Sequence, residues 1–371
     1  MPWPRRSPNS TPLWPSKDIV MTKTNSGNFF EDFRIGQEIR HATPRTVTEG
    51  DMALYTALYG SRFAFNSSAE FARDCGMPGQ PLDDLAAFHV VFGKTVPDVS
   101  LNAVANLGYA GGSFGAPVYA GDTITTTSQV IGLKENSNKQ TGVVYVRSTG
   151  VNQKGEMVVD YIRWVMVKKR DVNAAAPAEL VPDLPDAVAA SDLIIPPGLN
   201  TGKYDDVLAG SPHRWDDYAV GEKIDHVDGM TIEEAEHMMA TRLWQNTAKV
   251  HFNQHTEGQG RFGRRLIYGG HIISLARALS FNGLGNAFKI AAINGGRHVN
   301  PTFAGDTIYA WSEVLEKFEI PGRSTLGALR LRLVALKNRS GADFTLKLED
   351  GKSFDPAVVL DFDYTVLMPR R

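Results

Sequence analysis

The sequence predicts an α+β fold made of two copies of one domain that share a continuous antiparallel sheet. Residues 29–39 and 214–224 repeat one pattern of aromatic, acidic and glycine residues at an offset of 185 (214 − 29). Residues 120–124 and 304–308 both read Ala-Gly-Asp-Thr-Ile, at an offset of 184 (304 − 120). Two separate matches at nearly one offset indicate that a whole domain is duplicated, because the period is far longer than that of a solenoid repeat.

Each copy shows the same order of predicted elements: a short strand, a helix, a longer apolar helix and three long strands. Thr48 and Thr231 precede runs with acidic residues at the start, as at helix N-termini. The longer helices are predicted from Leu85 to about Lys94 and from Gly270 to about Phe281, and the second is apolar on nearly all sides, which indicates burial. Composition and alternation predict the strands 38–43, 122–133, 142–152 and 158–168, then 223–227, 306–316, 328–337 and 357–366.

Changes in composition divide the chain into four segments. Residues 1–27 are rich in proline and serine, and we predict a disordered leader, with Met21 as an alternative start. The two copies then occupy 28–170 and 206–371. Residues 171–205 are rich in alanine and proline without sustained periodicity, which predicts a linker crossing the surface.

The overall composition excludes several classes of protein. The chain has 42% hydrophobic and 22% charged residues and a net charge of −2. These values are typical of a soluble globular protein, and they argue against nucleic acid or an anionic membrane as partner. No apolar run approaches the ~20 residues that a membrane span needs. Cys75 is the only cysteine, so no intrachain disulfide can form, which favours the cytoplasm.

Two segments carry a resemblance to a known family. Residues 117–124 and 301–308, PVYAGDTI and PTFAGDTI, resemble the P-V-x-x-G-D-T-L segment of the MaoC-like dehydratases. The resemblance extends from Asn28 over nearly the whole chain. It is strongest to a branch of that family that interconverts mesaconyl-CoA and β-methylmalyl-CoA, and the segments that carry it are 41–63, 88–112, 138–153, 222–253, 261–283 and 358–371.

This resemblance implies a double hotdog, in which two hotdog repeats form a pseudo-dimer with one sheet around buried helices. It also implies a hydro-lyase that takes an acyl-CoA substrate and needs no cofactor. Hotdog domains commonly associate further, so we expect a homo-oligomer.

The family's G-D-x-N-P-x-H motif assigns the catalytic base. In the second repeat it matches residues 245–251, and His251 falls on the motif histidine. In the first repeat it matches residues 60–66, and Asn66, which cannot act as a base, takes the histidine position. The resemblance therefore implies that the second repeat is catalytic and that the first is a non-catalytic wall for the acyl-CoA.

The proton donor is open, because Asn246 replaces the motif aspartate. Hydration of an enoyl thioester needs a base for water at Cβ and a proton at Cα. We favour His251 as the base, with Asn246 orienting the water. The alternatives are another acid (Glu257, Asp83 or Asp84) or the substrate's own carboxylate.

A glycine pair is expected to bind the thioester oxygen. The family pattern P-x-V-H-G-M-L matches residues 266–272, with Gly269 and Gly270 at the start of the second long helix. There a backbone N–H of Gly270, aided by the helix dipole, would stabilise the enolate oxygen. Leu85 lies near the equivalent place in the first repeat, which again favours a single site.

Three arginines between His251 and this helix are candidates for anion binding. Arg261, Arg264 and Arg265 suit bidentate contacts to a substrate carboxylate or to CoA phosphates. His251 and His255, four residues apart, are a conceivable metal pair. No third ligand has useful spacing, so no metal is expected. We predict structural roles for the other histidines considered: His41, His89, His213, His226 and His237.

Three other functions are compatible with this fold. An acyl-CoA thioesterase needs an acid or base on the central helix, and HIISLARALSFNG carries no acid. An acyl-CoA-sensing regulator would need an appended nucleic-acid-binding element. A third alternative keeps the chemistry and changes the acyl group, as in an (R)-3-hydroxyacyl-CoA or itaconyl-CoA hydratase.

Overall fold

One antiparallel sheet runs through both repeats. The computed structural model describes residues 23–371, and in this part of the chain ten strands pair in the order β1-β3-β4-β5-β2-β7-β10-β9-β8-β6. The predicted α+β class with a continuous sheet is confirmed. The strands are β1 (Glu38–Thr46), β2 (Ala103–Phe114), β3 (Thr123–Glu135), β4 (Thr141–Val151), β5 (Met157–Lys168), β6 (Lys223–Thr231), β7 (Lys289–His298), β8 (Thr307–Glu319), β9 (Leu326–Lys337) and β10 (Val358–Pro369).

The helices follow the predicted order in each repeat. Thr48 accepts a hydrogen bond from the Asp51 N–H and caps the first helix, as its sequence indicates. Glu233, rather than Thr231, is the N-cap of the corresponding helix in the second repeat. The helices are α1 (Glu49–Tyr59), α2 (Ala64–Ser67), α3 (Ala69–Asp74), α4 (Asp84–Thr95), α5 (Asp206–Ala209), α6 (Glu234–Leu243), α7 (Gln254–Glu257), α8 (Gly269–Leu279) and α9 (Phe281–Leu284).

Helices α4 and α8 are the predicted long apolar helices, and both lie in the core. Every residue from Leu85 to Thr95 and from Gly270 to Leu279 is buried. Their side chains join the inward-facing residues of the strands, such as Phe362 on β10, in one hydrophobic cluster. Burial of apolar surface at about 25 cal/mol per Å² therefore holds the two helices against the sheet.

Strands β2 and β7 join the two repeats, and the sequence did not predict them. They pair antiparallel, with Tyr109 opposite Gly296 and Ser113 opposite Ala292. Their pairings with β5 and β10 contain register shifts. This central pair relates the two repeats by a pseudo-two-fold axis and makes the sheet continuous.

The segment predicted as a linker crosses the sheet and makes defined contacts. Leu180 forms a bridge with Leu133 of β3, and the Val188 N–H donates to Asn294 of β7. The Asn200 N–H then donates to the Cys75 carbonyl at the end of α3. The segment therefore spans both repeats.

The proposed boundaries near 170 and 206 lie outside strands β5 and β6. Most of the predicted leader, residues 1–22, lies outside the described residues. At its end, the Ser26 carbonyl accepts a hydrogen bond from Asn102.

Candidate active site

His251 lies in a short 3-10 turn, Lys249–His251, that follows α6. Its Nδ1 lies 2.9 Å from the Leu266 carbonyl oxygen. Since a carbonyl only accepts, Nδ1 carries the proton and Nε2 keeps its lone pair. Burial lowers the pKa of His251 to about 4, against the opposite effect of the bond to Leu266. The imidazole is therefore neutral at pH 7 and can accept a proton.

Asn246 shapes the loop that leads to His251. It is 5% exposed, and its Oδ1 accepts a hydrogen bond of 2.9 Å from the Ala248 N–H. One side of the amide is thus used to hold the loop. Its Nδ2 makes no hydrogen bond to the described residues and so remains for a water or a substrate oxygen.

Residues of the first repeat hold the loop between α6 and His251 in place. Arg45 donates to the Leu243 carbonyl, and Lys94 donates to Gln245. Gly93 of α4 lies so close that a Cβ there would be 1.8 Å from the carbonyl oxygen of Trp244. The position of the motif loop in the second repeat therefore depends on a helix of the first.

Gly269 and Gly270 form the first turn of α8, as predicted, and Tyr268 is the N-cap. The Tyr268 ring lies 5.6 Å from the His251 ring, so the predicted base packs against the N-cap residue of the helix that begins with the glycine pair. At Gly270 a Cβ would meet Tyr268 at 2.4 Å and His89 at 2.6 Å. Only glycine fits this tightly packed position.

His298, at the end of β7, is a second histidine at this site that the sequence reasoning missed. A Cβ on Gly269 would lie 2.5 Å from its ring, so the imidazole covers the first residue of α8. Its Nε2 lies 3.2 Å from the Tyr109 hydroxyl. Burial, and then repulsion from His251 when both rings are protonated, lower the pKa of His298 to about 4. His298 is therefore also neutral at pH 7.

The three predicted arginines lie in different surroundings. Arg265 forms an ion pair with Glu234. Arg264 is exposed, donates to the Ala304 carbonyl and stacks 5.0 Å from the Phe303 ring. Arg261 is exposed and stacks on Phe262 at 5.1 Å. Arg261 and Arg264 thus point their charges to the surface, whereas Arg265 already has an acidic partner.

The counterpart of this site in the first repeat is small and acidic. Asn66 and Asp83 take the positions of His251 and Tyr268, and they line a cavity of about 10 Å³, roughly the size of one water. Burial, and then the charge on Asp84, raise the pKa of Asp83 to about 6. Asp84 itself forms an ion pair with Lys289. Both aspartates considered as proton donors therefore lie at the start of α4 rather than beside His251.

Most other histidines are held by internal partners. His89 is buried between Ser274 and the Tyr268 hydroxyl, at 2.8 and 3.2 Å. Three more are bonded at one or both ring nitrogens: His41 to Asp98 and Ser128, His226 to Asn282 and Ser312, and His237 to Glu234. The ring of His213 makes no hydrogen bond to the described residues, and its backbone N–H donates to Ser211.

Two kinds of feature are absent from residues 23–371. No group of three or more His, Cys, Asp or Glu side chains is arranged to hold a metal ion. None of the helices there combines the length and apolarity needed to cross a membrane.

Comparison with known proteins decides the family. The model of the mesaconyl-CoA hydratase family matches residues 17–344. The chain belongs to the mesaconyl-CoA hydratase family. Two relatives extend this match over almost the full length. A β-methylmalyl-CoA dehydratase of Chloroflexus aurantiacus is 68% identical and covers 95% of this chain and 100% of its own. A mesaconyl-CoA hydratase of Cereibacter sphaeroides is 63% identical and covers 94% and 100%.

Solved structures place the fold of this mesaconyl-CoA hydratase family member among the double hotdogs. A MaoC domain protein dehydratase from Chloroflexus aurantiacus has a TM-score of 0.93 at 68% identity and covers 95% of this chain and 100% of that chain. A protein of Mycobacterium tuberculosis described as a double hotdog fold has a TM-score of 0.74 at 24% identity, with coverage of 93% and 99%. The predicted double hotdog is confirmed.

Proposed function

We propose that this chain reversibly hydrates mesaconyl-CoA to β-methylmalyl-CoA, with the chemistry in the second repeat. The observation that carries the proposal is the position of His251. Its Nδ1 is fixed by the Leu266 carbonyl, and its ring lies against the N-cap residue of α8. Relatives named for this reaction share 68% and 63% of their residues with the chain.

In the hydration direction His251 Nε2 removes a proton from water as the hydroxyl adds to Cβ of the enoyl thioester. Negative charge then develops on the thioester oxygen. The N–H groups in the first turn of α8 stabilise it, because the helix dipole and the unpaired N–H groups both point there. The imidazolium formed on His251 returns a proton to Cα, so one histidine serves both steps. Asn246 Nδ2 orients the water.

Each remaining predicted site residue has a role in this proposal. Gly269 and Gly270 let the rings of His298, Tyr268 and His89 pack against the first turn of α8. Their backbone N–H groups are the proposed donors to the thioester oxygen. Arg261 and Arg264 are exposed and suit the CoA phosphates. Arg265 supports the site through its ion pair with Glu234.

A set of paired assays tests the proposal. Wild-type protein is given mesaconyl-CoA and, separately, crotonyl-CoA, and enoyl absorbance and mass are followed. His251→Gln should lower kcat about 10²–10⁴-fold, the usual contribution of a general base. His255→Gln is the matched control, because this exposed histidine lies four residues later. Equal activity of both variants contradicts the assignment, and release of free CoA by the wild type would indicate a thioesterase.

We also propose a division of roles between the segments of the chain. Repeat 28–170 forms a wall for the acyl-CoA, repeat 206–371 carries the chemistry, and 171–205 connects them. We place the protein in the cytoplasm, which the single buried cysteine supports. We also propose a homo-oligomer, since β1 and β6 are edge strands with unpaired backbone groups. Light scattering of the purified protein tests the last point.

A further inference from the structure

We propose that Arg163, in the first repeat, binds the free carboxylate of the acyl chain and so selects a dicarboxylic substrate. The inference rests on the proposed function and deepens it. It assigns the carboxylate to a residue of the sheet rather than to Arg261, Arg264 or Arg265.

Arg163 is a buried charge whose neighbours do not neutralise it. Its side chain is 0% exposed. It donates to the hydroxyls of Thr95 and Ser100, at 2.7 and 3.2 Å, and lies 4.3 Å from the centre of the Phe92 ring. No carboxylate in residues 23–371 forms an ion pair with it. Burial of an unpaired charge is unfavourable, so such a group needs a counter-ion.

Two buried polar atoms beside this charge also lack partners. Within the described chain, neither Nε of Arg163 nor the hydroxyl of Tyr161 makes a hydrogen bond. The two residues are two positions apart on β5, so their side chains lie on the same face of the sheet. A carboxylate can accept from both donors at once. A guanidinium also binds a carboxylate through two parallel hydrogen bonds.

The guanidinium lies within reach of the reacting end of the substrate. The Phe92 ring lies 5.7 Å from the Tyr268 ring and 4.3 Å from Arg163 Cζ. The ring of Tyr268 and Arg163 Cζ are therefore at most 10.0 Å apart, the sum of these two distances. Three C–C bonds span about 4 Å between the thioester and carboxylate carbons of a four-carbon acyl chain. A hydrogen bond of about 3 Å at each end brings the total to about 10 Å.

The second repeat provides a matched control. Arg277 of α8 is also buried, and its Cζ lies 3.6 Å from the Phe63 ring. It takes the position that Phe92 has in α4, at the offset of 185 (277 − 92). Arg277 donates to the Ala287 carbonyl, and its charge acts on Asp83. It therefore stacks on a phenylalanine as Arg163 does, but its charge acts on Asp83 at the site of the first repeat.

The test compares kcat/KM for mesaconyl-CoA and crotonyl-CoA, which lacks the carboxylate. Arg163→Met should lower the value for mesaconyl-CoA at least about 100-fold and that for crotonyl-CoA less than about 10-fold, because a site built to bind a polar group discriminates strongly. Arg277→Met should keep the ratio of the two values within about threefold. An equal loss on both substrates with Arg163→Met overturns the inference.

Two further measurements keep the result decisive if Arg163→Met does not fold. Arg163→Lys keeps the positive charge but loses the planar guanidinium that can bind a carboxylate through two hydrogen bonds. It should therefore retain a preference for mesaconyl-CoA with a higher KM. Wild-type protein should also discriminate at least about 100-fold against the methyl ester of mesaconyl-CoA, which keeps the carbon skeleton without the charge. Equal turnover of ester and acid overturns the inference. A wild type inactive on mesaconyl-CoA contradicts the proposed function itself.

Discussion

Replacement of Gly93 by alanine should impair the site of the second repeat through a helix of the first. An alanine Cβ would lie 1.8 Å from the Trp244 carbonyl oxygen, whereas real Cβ contacts below 3.0 Å are essentially absent. Helix α4 and the loop before His251 must therefore separate by at least 1.2 Å (3.0 − 1.8). A displacement of about 1 Å can lower a rate about 100-fold. Overpacking of this kind also costs about 1–3 kcal/mol of stability.

Steady-state hydration of mesaconyl-CoA and thermal unfolding measure the two effects. We expect Gly93→Ala to lower kcat about 100-fold and to lower Tm while the protein remains folded by circular dichroism. Gly79→Ala is the matched control, because no atom lies within 4 Å of the Cβ it would add. Wild-type kcat and Tm in Gly93→Ala would refute the proposed dependence of the motif loop on α4.

Three further outcomes are expected. Asn66→Ala should leave kcat within about threefold of wild type, since the cavity beside it holds only about one water; a collapse of kcat in folded protein would show chemistry in both repeats. Arg264→Ala should raise KM with kcat unchanged, more at low salt than at high salt, because its exposed charge would meet a phosphate; Arg73→Ala, an exposed arginine of α3, is the control, and an equal KM change in both would contradict a CoA contact. Finally, burial lowers the pKa of five histidines to about 3 or 4: His89, His226, His251, His271 and His298. In the unfolded chain these histidines become protonated near pH 6.5, whereas in the folded chain they stay neutral to a lower pH. The free energy of unfolding should therefore be highest above pH 6.5 and fall toward pH 4, by up to about 1.4 kcal/mol per pH unit for each histidine. Urea unfolding at pH 7.5, 6 and 5 measures this, and a constant midpoint would show that these rings are not buried.

The elements with strong local signals were predicted from the sequence. The capping residue Thr48, the apolar helices and the alternating strands are local patterns, and the structure places them close to the predicted bounds. Strands β2 and β7 lack such a pattern. Residues 103–114 include three glycines, and glycine has a low strand propensity. A glycine is required at 108, where the Trp164 ring would lie 2.3 Å from a Cβ. Tertiary packing therefore determines these two strands.

The candidate site was only partly accessible to sequence reasoning. His251 and the glycine pair lie near one another in the chain, on the two matched family segments 245–251 and 266–272. Arg163 comes from a predicted strand of the other repeat, and one signal for it was present: alternation along β5 puts it on the inward face with Tyr161 and Val165. A charged residue at an inward position indicates a buried ligand or partner. His298 is the last residue of β7, a strand with two adjacent glycines that the sequence pattern did not predict.

The central pairing of β2 with β7 joins two repeats of one chain, and the two repeats can therefore carry different residues at equivalent positions. In a dimer of identical chains, by contrast, an isologous interface places the same side chain at both equivalent positions. Here Arg163 lies opposite Tyr109, while Tyr364 lies opposite Ile293, the counterpart of Tyr109 at the offset of 184 (293 − 109). A single chain can thus place a cation at one of the two positions and a phenol at the other. Covalent fusion relaxes the symmetry constraint, so one half can specialise in recognition and the other in reactivity.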